Sequence, residues 1–339
     1  PAGLGSLDVT TGTSTLSGNL TLLQNLSINA GQTLLAGDQM MSAQSITLNT
    51  DIDSTGAAAD LTLENAIATL INGRLGGNSP LATFTSSQNG TTTLTGGVFS
   101  NGLALFRNAV VVSGDAIVQS FGNTAADGVR FLSTIDGTTA GADSLTLLTD
   151  LTGGSLLNVT PGGQGTVDTN VPIISLFGDV GSSVALGTLG LNFGVDVNGN
   201  AVDGRAFVPA NATGVRGISD AFFANGTTTD TTINADNLFM GLREKMVALG
   251  SLSAAGTNAR LGDITAINNL AVNYGSVTVL LREAADVFEP PTGLVAQDSG
   301  IDFVSGGTME FGTITAFLGT GALPEFALPG ADPAITGGG

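Results

Sequence analysis

Apolar and small polar residues alternate along this chain in short runs that recur. Asn25-Leu26-Ser27-Ile28-Asn29, Ser45-Ile46-Thr47-Leu48-Asn49 and Ser144-Leu145-Thr146-Leu147 share one design, as do Thr188-Leu189-Gly190-Leu191-Asn192 and Asn269-Leu270-Ala271-Val272-Asn273. A period of two sends Leu, Ile or Val to one side of a strand and Ser, Thr, Gly or Ala to the other. Leu26 and Ile46 lie 20 residues apart; Leu145 and Leu189 lie 44 apart, read as two coils of 22. Short strands returning at this spacing, with Gly-rich turns between, predict a β-solenoid. One coil cannot bury its own apolar side, so coils must stack.

Further strands are expected at 82–85, 92–95, 109–113 and 129–132. Two stretches break the pattern. Leu63, Ile67 and Leu70 fall at helical spacing with Gly73 as a C-cap, which reads either as a short helix or as two strands broken at Asn65. Asp236 and Asn237 could cap a second helix over 236–250, running through Leu238, Phe239, Leu242, Met246 and Leu249 to Gly250 and lying on the solenoid or over one end. The domain reading is a solenoid over 1–318, then an extended Pro- and Gly-rich tail over 319–339. At roughly 21 residues per coil and about 4.8 Å per stacked strand, the rod would be on the order of 70 Å long.

Composition supports narrow, repetitive β structure. Hydrophobic residues make up 42% of 339, with 5% aromatic and no Trp, so a thin core of Leu, Val, Ile and Ala is expected. Fifty Gly favour many short strands joined by tight turns. The net charge of −19, with nine basic residues and Lys245 as the sole Lys, leaves no basic face for nucleic acid and disfavours anionic membranes. The apolar runs are too short to span a bilayer as helices. The opening Pro1-Ala2-Gly3-Leu4 resembles no targeting segment and reads as the start of a processed or excised product.

The runs ARLGDITAINNLAVN, STIDGTTAGADSLTL and GTLGLNFG resemble the degenerate repeats of filamentous-haemagglutinin-type and autotransporter-type surface proteins of Gram-negative bacteria. The resemblance covers residues 5–60 and 80–320. It implies a right-handed parallel β-helix, exported to the bacterial surface as an adhesin or fibre. The Asn-Pro-Asn motifs of the two-partner haemagglutinins are absent from this chain.

Candidate chemistry is sparse. With no His and no Cys, imidazole catalysis, His-metal sites, thiol chemistry and disulfides are excluded for this chain. No phosphate-binding glycine loop is present. Asp51 and Asp53 share one strand face, an arrangement that usually means solvated carboxylates and in some β-helix enzymes means polysaccharide cleavage. Asp196, Asn198, Asn200 and Asp203 place oxygen ligands at alternating positions, as calcium loops do, although no Glu closes an EF-hand. The same stretch reads as a hairpin, because Asn198-Gly199 is a strong type I′ turn. The Asn-x-Ser/Thr sequons and the Thr runs are accounted for by composition.

The function expected is that of an extracellular structural or adhesive β-solenoid, not an enzyme. A cell-surface glycan or protein is its possible ligand and calcium its only possible cofactor. Alternatives on the same scaffold are a polysaccharide lyase or hydrolase, which needs carboxylates and an Arg converging in one cleft, or a phage fibre domain. Solenoid ends expose unpaired backbone groups. Leu323, Phe326 and Leu328 on the tail are therefore expected to strap one subunit to the next in a head-to-tail filament.

Overall fold

The structure, a computed structural model, describes residues 4–10, 12–122, 124, 126–149, 173–192, 194–195, 201–202, 220–223, 230–240, 245–248, 250–266, 268–280, 302–305, 309–311, 314–318 and 325–327. Among these residues the regular elements are strands, and none is a helix. Each coil lays down three strands in turn, and successive coils stack them in parallel. Face A begins with Leu7–Val9, face B with Thr13–Leu16 and face C with Leu20–Thr21.

The registers define continuous columns. On face A, Leu7 pairs with Leu26 and Leu26 with Ile46, and the column runs on through Thr69, Thr92, Val110 and Ile135. From there it passes through Val180, Ile233, Ala254 and Val272 to Phe311. Face B stacks Thr33, Ile52, Leu75, Val98, Val118, Leu147 and Leu191. Face C carries Leu61, Phe84, Ala104, Val129 and Ile174, and ends Ile264, Phe303, Phe326. Inward positions of all three faces form one buried apolar core. Its largest members include Phe84, Phe106 and Phe131, whose rings meet at 5.1 Å (Phe84–Phe106) and 4.5 Å (Phe106–Phe131).

Corners explain where the sequence pattern misled. The 61–71 stretch is one strand, Leu61–Ile71, and not a helix. Leu61, Leu63 and Asn65 point inward, the chain turns the corner at exposed Ala66 and Ile67, and alternation restarts with Thr69 and Ile71 buried. A period of two with its phase reset at a corner imitates the three-to-four spacing of a helix. The same reset occurs within Thr231–Met240, where Asp236 and Asn237 sit at the corner and are not helix caps. Leu238 and Met246 are buried in strands, Met246 within Lys245–Ala248. The 236–250 stretch is thus part of the stack; its residues 241–244 and 249 lie outside the described residues. Of the tail, Glu325–Ala327 is a strand pairing in parallel with Asp302–Val304, so this part adds to face C.

Spacing misled once more. Leu189 pairs directly with Leu145, so the 44 residues between them make one step of the stack, not two. The rod is accordingly shorter than uniform coils would make it.

Polar side chains brace the corners. Between faces A and B, Asn29 donates its side-chain N–H to Asp8 (2.7 Å), Asn49 donates to Asn29 (2.6 Å) and Asn72 to Asn49. Between faces C and A, buried Asn65 and Asn108 both donate to the carbonyl of Asn89, tying three coils together. The turn at Gly90 needs glycine: its φ is 67°, and a Cβ would overlap the Ile67 carbonyl oxygen.

Candidate functional site: the carboxylates and the B–C corner

Aspartates gain their role here from the stacking itself. A strand end turning a corner leaves backbone N–H groups that the next coil cannot always meet, and a carboxylate one coil away can accept them. Asp51 accepts from the Arg74 N–H (2.8 Å), Asp179 from Thr232 (2.8 Å) and Asp230 from Ser251 (3.1 Å). Asp136 takes two, from Ser183 (2.7 Å) and Val184 (3.1 Å).

Asp53 and Asp143 are the most committed. Both are buried. Asp53 Oδ1 accepts from the backbone of Asn78 and Ser79, and Oδ2 from the side chains of Asn78 and Gln32. Asp143 Oδ1 accepts from Gly114 in the preceding coil (2.7 Å). Its Oδ2 gathers the N–H groups of Thr138 and Thr139 and the Thr138 hydroxyl. Burial pushes both carboxyls up, but the donated hydrogen bonds outweigh it and hold both below the ordinary aspartate value. Asp51 and Asp53 do share the outward side of a strand, as expected. Asp53 is, however, a buried clamp rather than a solvated group.

Other charged contacts are thin. Arg107 and Glu64 approach to 4.0 Å on the surface, a pair worth about 1 kcal/mol at most. The Arg74 guanidinium lies 5.0 Å from the centre of the Phe99 ring. Among the described residues no three acidic side chains gather in a metal-binding arrangement. Asp196, Asn198, Asn200 and Asp203 lie outside the described residues. The strands flanking them, Gly194–Val195 and Ala201–Val202, pair antiparallel, as the hairpin reading requires. Of the expected assembly residues, Phe326 is in the strand Glu325–Ala327, whereas Leu323 and Leu328 lie outside the described residues.

The corners differ in what they carry. Residues 150–172, outside the described residues, connect Ser144–Thr149 on face B to Ile173–Leu176 on face C. Residues 192–219 join Leu186–Leu191 on face B to Asp220–Phe223 on face C, and 281–301 join Leu270–Leu280 to Asp302–Ser305 in the same sense. The three longest connections between strands of the stack therefore all run from face B to face C. Elsewhere between these faces the links are short: Gly262 alone separates Leu252–Leu261 from Asp263–Ala266, and Asn101-Gly102 separates Gly97–Ser100 from Leu103–Phe106.

Two functional features escaped the sequence reading. The aspartate clamps look like any surface acid in sequence; closeness to turn glycines, as in Asp136-Gly137, is the sole hint. The shared corner is invisible until the faces are known. Compared with protein-family models, curated proteins and solved structures, the chain finds no match.

Proposed function

We propose that this chain is a non-enzymatic, extracellular β-solenoid of the bacterial surface, a rod that displays binding segments along one edge. The observation that carries this reading is that the three longest connections all link face B to face C. Insertions confined to one side of a repeat array commonly form its binding face. The carboxylates support the same reading, since those best placed for chemistry are committed to backbone N–H groups of adjacent coils. The ligand class is a cell-surface glycan or protein. Calcium at Asp196, Asn198, Asn200 and Asp203 is an accessory proposal, checked by calorimetric titration of the metal-free protein.

The test replaces residues 150–172, 192–219 and 281–301 with two-residue Asn-Gly links like Asn101-Gly102. The variant is expected to keep its β circular dichroism and to lose binding to cells and to a glycan array. Undiminished binding would overturn the display reading. Depolymerisation of an acidic polysaccharide by the intact protein, followed by reducing-end release, would favour the enzyme alternative.

A further inference from the structure

Exposed apolar side chains gather on one edge of the rod. Among the described residues five large hydrophobics stand exposed: Leu4, Leu23, Met40, Ile67 and Leu132. Met40 points outward from face C, and the other four lie at the corner between faces C and A. Leu23 is 61% exposed and Ile67 60%, so neither is packed away against a neighbouring coil. The Leu23 N–H donates to the Leu4 carbonyl one step below (2.9 Å). Ile67 lies two steps above Leu23, and Leu132 three steps above Ile67. The four tips therefore share one edge over six steps, about 29 Å. Single surface leucines need no explanation, but a row confined to one edge does.

Charge is sorted by corner as well. In these coils the B–C corner carries Asp38, Asp60 and Asp127, and the A–B corner carries Asp51, Asp115 and Asp143. At the C–A corner, residues 22–24, 44, 66–67, 87–90, 107–108 and 132–134 include no carboxylate. Arg107 is their one charged residue, with Glu64 of face C 4.0 Å away. We propose that this edge seats the rod on a zwitterionic lipid surface, with Leu4, Leu23, Ile67 and Leu132 entering between the headgroups. Binding of this kind grows with the apolar area buried at the interface. A convex edge with a row of apolar tips suits a soft, flat partner and offers no groove to a protein side chain. A net charge of −19 opposes approach to anionic lipid and to a second copy, so a neutral interface is the apolar partner that the charge allows. This role goes beyond display between faces B and C and does not depend on it.

Exposure makes the test clean. None of the four tips belongs to the buried core, so Leu23→Gln/Ile67→Gln should keep the circular dichroism and melting temperature of the parent. The parent is expected to co-sediment with phosphatidylcholine vesicles, and the double variant to need about tenfold more lipid for half binding. Replacing part of the phosphatidylcholine with phosphatidylserine should weaken the parent's binding at low salt. Added salt should restore it, because screening removes the repulsion and spares the apolar contact. The chain has no Trp, so Ile67→Trp reports from this edge and Asn101→Trp, at an exposed position, from the link between faces B and C. Vesicles should shift the emission of Ile67→Trp to the blue and leave that of Asn101→Trp in place. Failure of the parent to bind vesicles, equal binding by the double variant, or a blue shift at Asn101 in place of Ile67 would overturn the inference. So would a parent that scatters light as a dimer, becomes monomeric in the double variant and ignores vesicles: the edge would then belong to a second copy. Each of these outcomes leaves binding to cells and to a glycan array, and with it the display reading, to its own test.

Discussion

Replacing Phe106 tests how the rod is held together. Its ring is fully buried, tilted 51° to Phe84 and stacked within 3° of Phe131. Phe106→Ala removes that packing and leaves a cavity, at about 3–5 kcal/mol. Phe106→Leu keeps most of the apolar volume and loses two ring contacts, each about 0.5–1.5 kcal/mol. A difference of roughly 2 kcal/mol between the two variants is therefore expected in urea unfolding. The loss should also be local, because a solenoid is stabilised by nearest-neighbour interfaces. Tyr274, the only Tyr in a chain without Trp, reports from five column steps away, about 24 Å along the rod. In Phe106→Ala, amide exchange in Leu103–Phe106 and Gly128–Phe131 should accelerate about a thousandfold, the equivalent of 4 kcal/mol. The Tyr274 fluorescence transition should stay in place. A cost below about 1 kcal/mol would refute the packing argument. A Tyr274 midpoint that moves in step with the circular dichroism would refute the coil-by-coil argument.

Asp143→Asn should flatten the acid limb of stability. The folded carboxyl lies below its unfolded value, so its contribution is complete above the unfolded pKa of about 3.9 and vanishes as pH falls through the lower folded value. Thermal melts from pH 7 to pH 2 should show the variant destabilised near neutrality and converging on the parent in acid; a constant gap would contradict the clamp. Tyr274→Phe should leave the melting temperature unchanged or raise it. Among the described residues the buried hydroxyl has no hydrogen-bond partner, and its pKa is pushed up by burial and then by the charge of Asp236. A fall of several degrees by circular dichroism would show that the hydroxyl has a partner in solution.

The fold was legible where coils follow one another without interruption. Leu26 and Ile46 are true register partners, and the recurring runs at 25–28, 45–48, 144–147, 188–191 and 270–272 are all strands. What the runs do not disclose is which face they occupy: Leu26 belongs to face A and Leu145 to face B. Leu63, Ile67 and Leu70 were ambiguous because the corner at Ala66 and Ile67 resets the alternation within one strand. Asp143 was illegible for a different reason. Its donors come from Gly114, a coil earlier, and from Thr138 and Thr139, and only the stack brings them to one carboxylate.

The uneven corners also set an order of assembly in time. Leu26 finds Ile46 after 20 residues, whereas Ile135 must wait 45 residues for Val180, and Val180 another 53 for Ile233. Closing a loop of about 50 residues instead of 20 costs roughly 0.8 kcal/mol more in chain entropy. Steps of that kind slow the formation of contacts before they are rewarded by burial. The amino-terminal coils up to Ile135 are therefore the natural nucleus, and the coils beyond Val180 condense onto a surface already formed. Lengthening residues 150–172 would delay that second phase while leaving the finished rod with the same coils.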